Sequence, residues 1–143
     1  MALKKTLYGK TIFLDTAPLI YFMEGGSSYV PVLNDLFLPL NDCHFITTVI
    51  TLSEVLVMPL RERKPQLAKK YKDILTMSEN IDILDINIEI AKETAQIRAD
   101  YTLKTPDAIQ LAAAKYSSVD YFLTNDHRLK IFKGLNIILL SDL

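Results

Sequence analysis

The sequence predicts an α/β fold, an open and mostly parallel sheet with helices packed on both faces. Three observations predict it. Short apolar runs alternate with longer segments of helical periodicity along the whole chain. Its 143 residues suit one compact unit, and with 50% of them apolar a sizeable core can be buried. No repeat, low-complexity tract or Pro/Gly/Ser linker interrupts the alternation, so residues 1–143 read as a single domain.

Each element has its own signal. Thr11-Ile-Phe-Leu-Asp15 reads as a strand, 16–23 as a short helix, Gly25-Gly26-Ser27-Ser28 as a loop and 30–40 as a second helix. Cys43 to Thr48 is the second strand. Helices follow over 50–62 and 66–79, separated near Pro65, which suits a helix start better than a helix interior. Ile81 to Ile86 is the third strand. The spacing of Ile90, Ala91, Thr94, Ala95 and Ile97 predicts a helix over 87–103. Thr105 as N-cap, Pro106 at the first helical position and Asp107 in the first turn open another, running to about Ser117. Tyr121 to Thr124 is the fourth strand, His127 to Phe132 a short helix, and Asn136 to Leu140 the fifth strand.

Composition excludes several classes. Sixteen Lys and Arg against 17 Asp and Glu leave a net charge of −1, so any nucleic-acid role must rest on a local basic patch beside a local acidic site. A well-mixed 23% charge argues against wholesale disorder. The lone Cys43 forms no internal disulfide and reads as a buried structural thiol, which fits a reducing cytoplasm. Residues 1–10 carry Lys4, Lys5 and Lys10 but no apolar stretch of signal-peptide length. No run approaches the ~18 apolar residues of a membrane span. The expectation is a soluble cytoplasmic protein.

Parallel sheets bind ligands outside the carboxyl ends of their strands. Four acids lie where that rule directs attention. Asp15 ends the first strand, and Asp126 lies just past the fourth; either also serves as a helix N-cap. Glu54 has Ile50, Thr51, Val57 and Met58 three and four residues away. A carboxylate buried on that stripe needs a basic partner or a metal, and one at the stripe's edge reaches solvent. Asp107 is explained by its helix start alone, yet it stands at one end of an apolar helix, Ala108-Ile-Gln-Leu-Ala-Ala-Ala. Brought together, four carboxylates repel and raise one another's pKa, so the site they form calls for a cation. Oxygen ligands without neighbouring Cys or paired His select Mg2+ or Mn2+ rather than Zn2+.

Four segments resemble the PIN-domain ribonuclease family, including VapC-type toxins of toxin–antitoxin pairs. They are Phe13-Leu-Asp15-Thr-Ala-Pro-Leu-Ile-Tyr-Phe22, Thr51-Leu-Ser-Glu54-Val-Leu, Lys104-Thr-Pro-Asp107-Ala-Ile-Gln-Leu-Ala-Ala and Phe122-Leu-Thr-Asn-Asp126, in the family's order and over nearly the whole chain. The resemblance implies a three-layer α/β/α fold on a five-stranded parallel sheet of order 3-2-1-4-5, with the strands ending at Asp15 and Asp126 adjacent at the switch point. It implies Asp15 and Asp107 as metal ligands, Glu54 and Asp126 as further acids binding metal directly or through water, and Thr124 as a supporting hydroxyl. It also implies an RNA substrate, a homodimer and a small antitoxin partner. Ala17-Pro18 departs from the Asn-Val common in the family, a change that bears on the turn after the strand.

Such a site hydrolyses phosphodiesters with metal-activated water and needs no histidine base. That suits a chain with only His44, inside a strand, and His127, beside Asp126 and equally well placed for substrate or solvent. The best basic run is Arg61, Arg63, Lys64, Lys69, Lys70 and Lys72, which either flanks the cleft to hold RNA or is a solvated helical face. The Tyr21-Phe22-Met23 cluster suits a docking face or, more commonly, core. Rival classes fit less well. A haloacid-dehalogenase-like phosphatase needs a second Asp where Ala17 stands, and a receiver domain needs a Lys after the last strand, whereas Lys133 precedes it. A non-catalytic RNA- or protein-binding module has no need of four acids.

Overall fold

The computed structural model describes residues 2–143. Its elements in chain order are α1 (Ala2–Thr6), β1 (Thr11–Leu14), α2 (Thr16–Glu24), α3 (Val30–Phe37), β2 (His44–Thr48), α4 (Val49–Arg61), α5 (Pro65–Met77), β3 (Ile81–Leu84), α6 (Ile88–Asp100), α7 (Thr105–Tyr116), β4 (Tyr121–Thr124) and β5 (Ile137–Leu139). Short 3-10 turns cover Pro39–Asn41, His127–Ile131 and Leu140–Asp142.

The five strands form one all-parallel sheet in the order β3-β2-β1-β4-β5. Phe13 of the central β1 stands opposite Ile46 on one side and Phe122 on the other. Strand side chains alternate between faces, and the two cores follow that alternation. Ile12 and Leu14 join Leu19, Leu33, Leu36 and Leu75 on one face. Phe13 and Phe122 stack with centroids 5.1 Å apart on the other, against Ile90, Ile97 and the small face of α7. Ala112, Ala113 and Ala114 are fully buried, and their small side chains let α7 lie close to the sheet and to α6. The chain winds from β1 outward to β3 and then returns to place β4 on β1's other side. The switch point therefore falls between β1 and β4, where a crevice opens beyond the carboxyl ends.

Several boundaries differ from expectation for local reasons. Helix α3 stops at Phe37 rather than 40 because Pro39 drives Leu38 to extended angles (φ −62°, ψ 129°). The strands expected to begin at Cys43 and to end at Ile86 are His44–Thr48 and Ile81–Leu84. The helical turn α1 carries no sequence signal that predicted it. The Cys43 thiol is buried and donates to the Leu7 carbonyl at 3.3 Å. Phe22 stacks on Phe37 at 4.2 Å, so the Tyr21-Phe22-Met23 cluster packs partly against core. Among the described residues no helix is long and apolar enough to cross a membrane.

Candidate active site

The crevice at the switch point is a pocket of about 650 Å³ whose lining includes Asp15, Glu54, Asp107 and Asp126. Four elements deliver them: the end of β1, the middle of α4, the first turn of α7 and the turn after β4.

Asp15 extends the β1 ladder, its N–H donating to the Leu123 carbonyl at 3.0 Å. One carboxylate oxygen caps α2 by accepting from the Thr16 N–H at 3.0 Å. The other accepts from the Thr124 hydroxyl at 2.8 Å. Burial pushes this carboxyl above the usual range; the Thr124 and Thr16 hydrogen bonds oppose the shift, and the charges of Asp107 and Glu54 reinforce it. Thr124 is fully buried, and its oxygen also accepts from the Asp126 N–H at 3.0 Å. One hydroxyl thus joins the backbone of one acid to the side chain of another.

Asp107 projects from the start of α7. The helix begins one residue earlier than expected, with Lys104 at the cap and Thr105 as its first residue. The Asp107 carboxyl is also raised, first by burial and then by the charge of Asp126, with Arg128 and Lys104 acting in the opposite direction.

Glu54 is exposed rather than buried on an apolar stripe. The buried face of α4 is Thr51, Val55 and Pro59, so Glu54 stands at its edge. It accepts from the Thr16 hydroxyl at 3.0 Å. Behind that contact lies a polar relay without a sequence prediction. The Thr48 hydroxyl donates to Gln110 Oε1 at 2.6 Å, Gln110 Nε2 donates to Thr51 Oγ1 at 2.6 Å, and Thr51 Oγ1 stands 3.3 Å from Thr16 Oγ1. Gln110 is 2% exposed and lies one helical turn past Asp107, on the pocket side. Its signal was legible: it is the one polar residue in the run Ala108 to Ala114, where burial demands partners.

Asp126 carries the second unpredicted feature. Arg128 forks onto it, Nε to Oδ1 at 3.0 Å and Nη2 to Oδ2 at 2.6 Å, while the Arg128 N–H also donates to Oδ1 at 3.0 Å. The fork holds the Asp126 carboxyl below its usual range against the opposing effect of burial. The same Nη2 stands 3.8 Å from Asp107 Oδ2. None of the ion pairs among the described residues involves Asp15 or Glu54.

The donor set is all oxygen, carboxylate and hydroxyl, which suits Mg2+ or Mn2+. Two carboxyls raised by burial, one of them without a cationic partner among the described residues, mark a place where a bound cation would relieve an electrostatic cost. Among the described residues, no three His, Cys, Asp or Glu side chains are grouped closely enough to hold an ion as they stand. Asp126 is turned onto Arg128 instead.

The remaining candidates divide between the pocket and other parts of the fold. His127 lines the pocket. His44 stands at the amino end of β2, remote from the carboxyl-end crevice, and contacts Asp82 at 2.8 Å. Arg61, Arg63, Lys64, Lys69 and Lys70 flank the α4–α5 turn and are not among the residues lining the pocket. Lys64 pairs with Glu62 and Lys69 with Asp73.

Comparison with known proteins bears on this geometry. The family model described as PIN domain matches residues 12–135. No protein of curated function matches the chain in sequence. Among solved structures, VapBC2 from Rickettsia felis bound to a DNA fragment from its promoter is similar with a TM-score of 0.73 at 16% identity, over 90% of this chain and 98% of that one. A toxin–antitoxin complex from Klebsiella pneumoniae gives 0.72 at 22% identity, over 90% and 97%. VapC20 from Mycobacterium tuberculosis, a sarcin-ricin loop cleaving toxin, gives 0.62 at 14% identity, over 78% and 86%.

Proposed function

Because this chain belongs to the PIN-domain family, we propose that it is a Mg2+- or Mn2+-dependent endoribonuclease, the toxin of a VapBC-type pair. The observation that carries this reading is the convergence of Asp15, Glu54, Asp107 and Asp126 on one pocket at the switch point, with Asp15 half-buried and paired to no cation among the described residues. A bound divalent ion supplies charge neutralisation for a scissile phosphate and a more acidic water as nucleophile.

The chain's own residues supply the frame. Asp15 and Asp107 would hold the ion, with Glu54 and Asp126, which line the same pocket, as further ligands directly or through water. Thr124 fixes the Asp15 carboxylate, and Thr16 holds Glu54 toward the pocket. Water as nucleophile removes any need for the RNA 2′-OH in the chemistry, so RNA is chosen by contacts outside the reacting phosphate. Arg61, Arg63, Lys64, Lys69 and Lys70 are the candidate contacts; a salt dependence unaffected by replacing Arg61 and Lys69 would remove them from that role. The reading extends to residues 1–143 working as one domain in the cytoplasm, as a homodimer silenced by an antitoxin. The relatives solved as toxin–antitoxin complexes support the antitoxin.

A non-catalytic RNA- or protein-binding module is the second reading, favoured by one observation: Arg128 already neutralises Asp126. Purified protein with Mn2+ and mixed RNAs, with and without chelator, separates the two. The nuclease reading expects chelator-sensitive cleavage that Asp15→Asn and Asp107→Asn each abolish. Cleavage persisting in either variant, or absent from the parent protein in Mg2+ and Mn2+, defeats it.

A further inference from the structure

Building on the metal-dependent reading, we propose that Arg128 is an exchangeable counter-cation: it occupies the carboxylates when no metal is bound and passes to an RNA phosphate when metal displaces it. A single guanidinium bridges two acids from different elements. Its Nε and Nη2 grip Asp126, and Nη2 stands 3.8 Å from Asp107. The group is charged at every relevant pH, so it cannot leave by losing a proton. It leaves only if another cation replaces it.

Two features make replacement easy. The Arg128 side chain is 66% exposed, so its ion pair is worth little beside the desolvation a divalent ion relieves. Its fork also matches phosphate as well as carboxylate. The neighbouring Leu129 is fully buried, which anchors the turn and keeps a released guanidinium at the pocket rim. There the incoming anion in a nuclease is the RNA backbone.

The inference predicts effects of opposite sign from one substitution. Arg128→Gln removes the competitor, so Mn2+ binding measured by calorimetry tightens about three- to tenfold. The same variant loses a phosphate contact. Binding of a short mixed-sequence RNA, in Ca2+ with the RNA checked to be intact, weakens by a similar factor, and its log–log salt slope becomes shallower by about one. Arg128→Lys, which keeps the charge without the fork, falls between the two in both assays. A residue that merely supports the fold would weaken both affinities together, and that result overturns the inference. Mn2+ affinity unchanged in Arg128→Gln, or RNA affinity unchanged, also overturns it while leaving the metal site standing. Failure of both the parent protein and Arg128→Gln to bind Mn2+ overturns the inference and the metal site together.

Discussion

Replacing Thr124 with Val tests how the pocket holds its acids. Val keeps the shape of a fully buried side chain and removes only the hydroxyl. Two hydrogen bonds go: the donation to the Asp15 carboxylate at 2.8 Å and the acceptance from the Asp126 N–H at 3.0 Å. A bond to a charged group is worth about 1.5–3 kcal/mol and a neutral one about 1 kcal/mol. Asp15 is only half-buried, so the lower end applies to it. The expected loss is about 2–3 kcal/mol at neutral pH in metal-free buffer. The deficit depends on pH with a definite sign. The folded-state pKa of Asp15 is raised, so between the ordinary carboxylate range and that raised value the native state binds more protons than the unfolded state. Stability therefore falls as pH rises through this window. The Thr124 bond pulls the pKa back toward normal, so its removal widens the window and steepens the fall. Urea unfolding at several pH values, with chelator present, should give a deficit that is largest near neutrality and shrinks below the ordinary carboxylate range. A deficit of equal size at acid and neutral pH would refute the view that Thr124 stabilises the ionised Asp15.

Other perturbations separate the frame from the chemistry. Gln110→Leu removes the acceptor of the Thr48 hydroxyl and a donor to the Thr51 hydroxyl inside the core and should destabilise by about 2–4 kcal/mol in urea unfolding; adding Thr51→Val should recover part of that loss, whereas adding Thr48→Val should not, because Thr48 also caps α4 through the Ile50 N–H. Glu54→Gln retains an acceptor for Thr16 on an exposed side chain, so stability should stay within about 0.5 kcal/mol, while RNA cleavage should drop at least about tenfold. Mn2+ at about a hundred times its Kd should stabilise the parent protein by about 2.7 kcal/mol, read as a rise in thermal midpoint, and Asp15→Asn should abolish that rise.

The parallel sheet was legible in the alternation of short apolar runs with helical ones, because strands buried on both faces leave such runs. The strand order followed from resemblance, since periodicity says nothing about which strands pair. The acids at strand ends stood out by position, Asp15 after Leu14 and Asp126 after Thr124. Sequence leaves Glu54 open between an apolar stripe and its solvent edge: Ile50, Val57 and Met58 look like the stripe, but α4 buries Thr51, Val55 and Pro59 instead, and Glu54 stands at the edge. A threonine and a proline packed into the buried face disguise it. Arg128 has no signal in the sequence, because a basic residue two positions past an acid is unremarkable in an extended chain. The 3-10 turn after β4 folds the side chain back onto Asp126 and toward Asp107, a contact across the fold that local pattern cannot show. The partners of Gln110 are hidden for the same reason, since Thr48, Thr51 and Thr16 become its neighbours only once α4, α2 and α7 pack together.

Each acid also has a structural task, which is why each read separately as an ordinary cap. Asp15 caps α2, and Asp126 caps the turn that carries Arg128. This double duty decides which substitutions are informative. Alanine removes cap and charge together, so lost activity would not distinguish a missing ligand from a frayed element. Asparagine keeps an oxygen that can accept from the Thr16 N–H, removes the charge and puts an amide NH2 where the Thr124 hydroxyl now donates. Asp15→Asn also eliminates the carboxyl whose burial raises its pKa, which offsets the lost Thr124 bond, so in metal-free buffer near neutrality its stability should stay within about 1 kcal/mol of the parent protein. A variant that folds as well as the parent, no longer gains stability from Mn2+ and no longer cuts RNA would assign the charge of Asp15 to the metal and its cap to the fold. An Asn variant markedly less stable than the parent would mean that the ionised carboxylate itself holds the switch point together, and the case for a cation-seeking pocket would lose its physical ground.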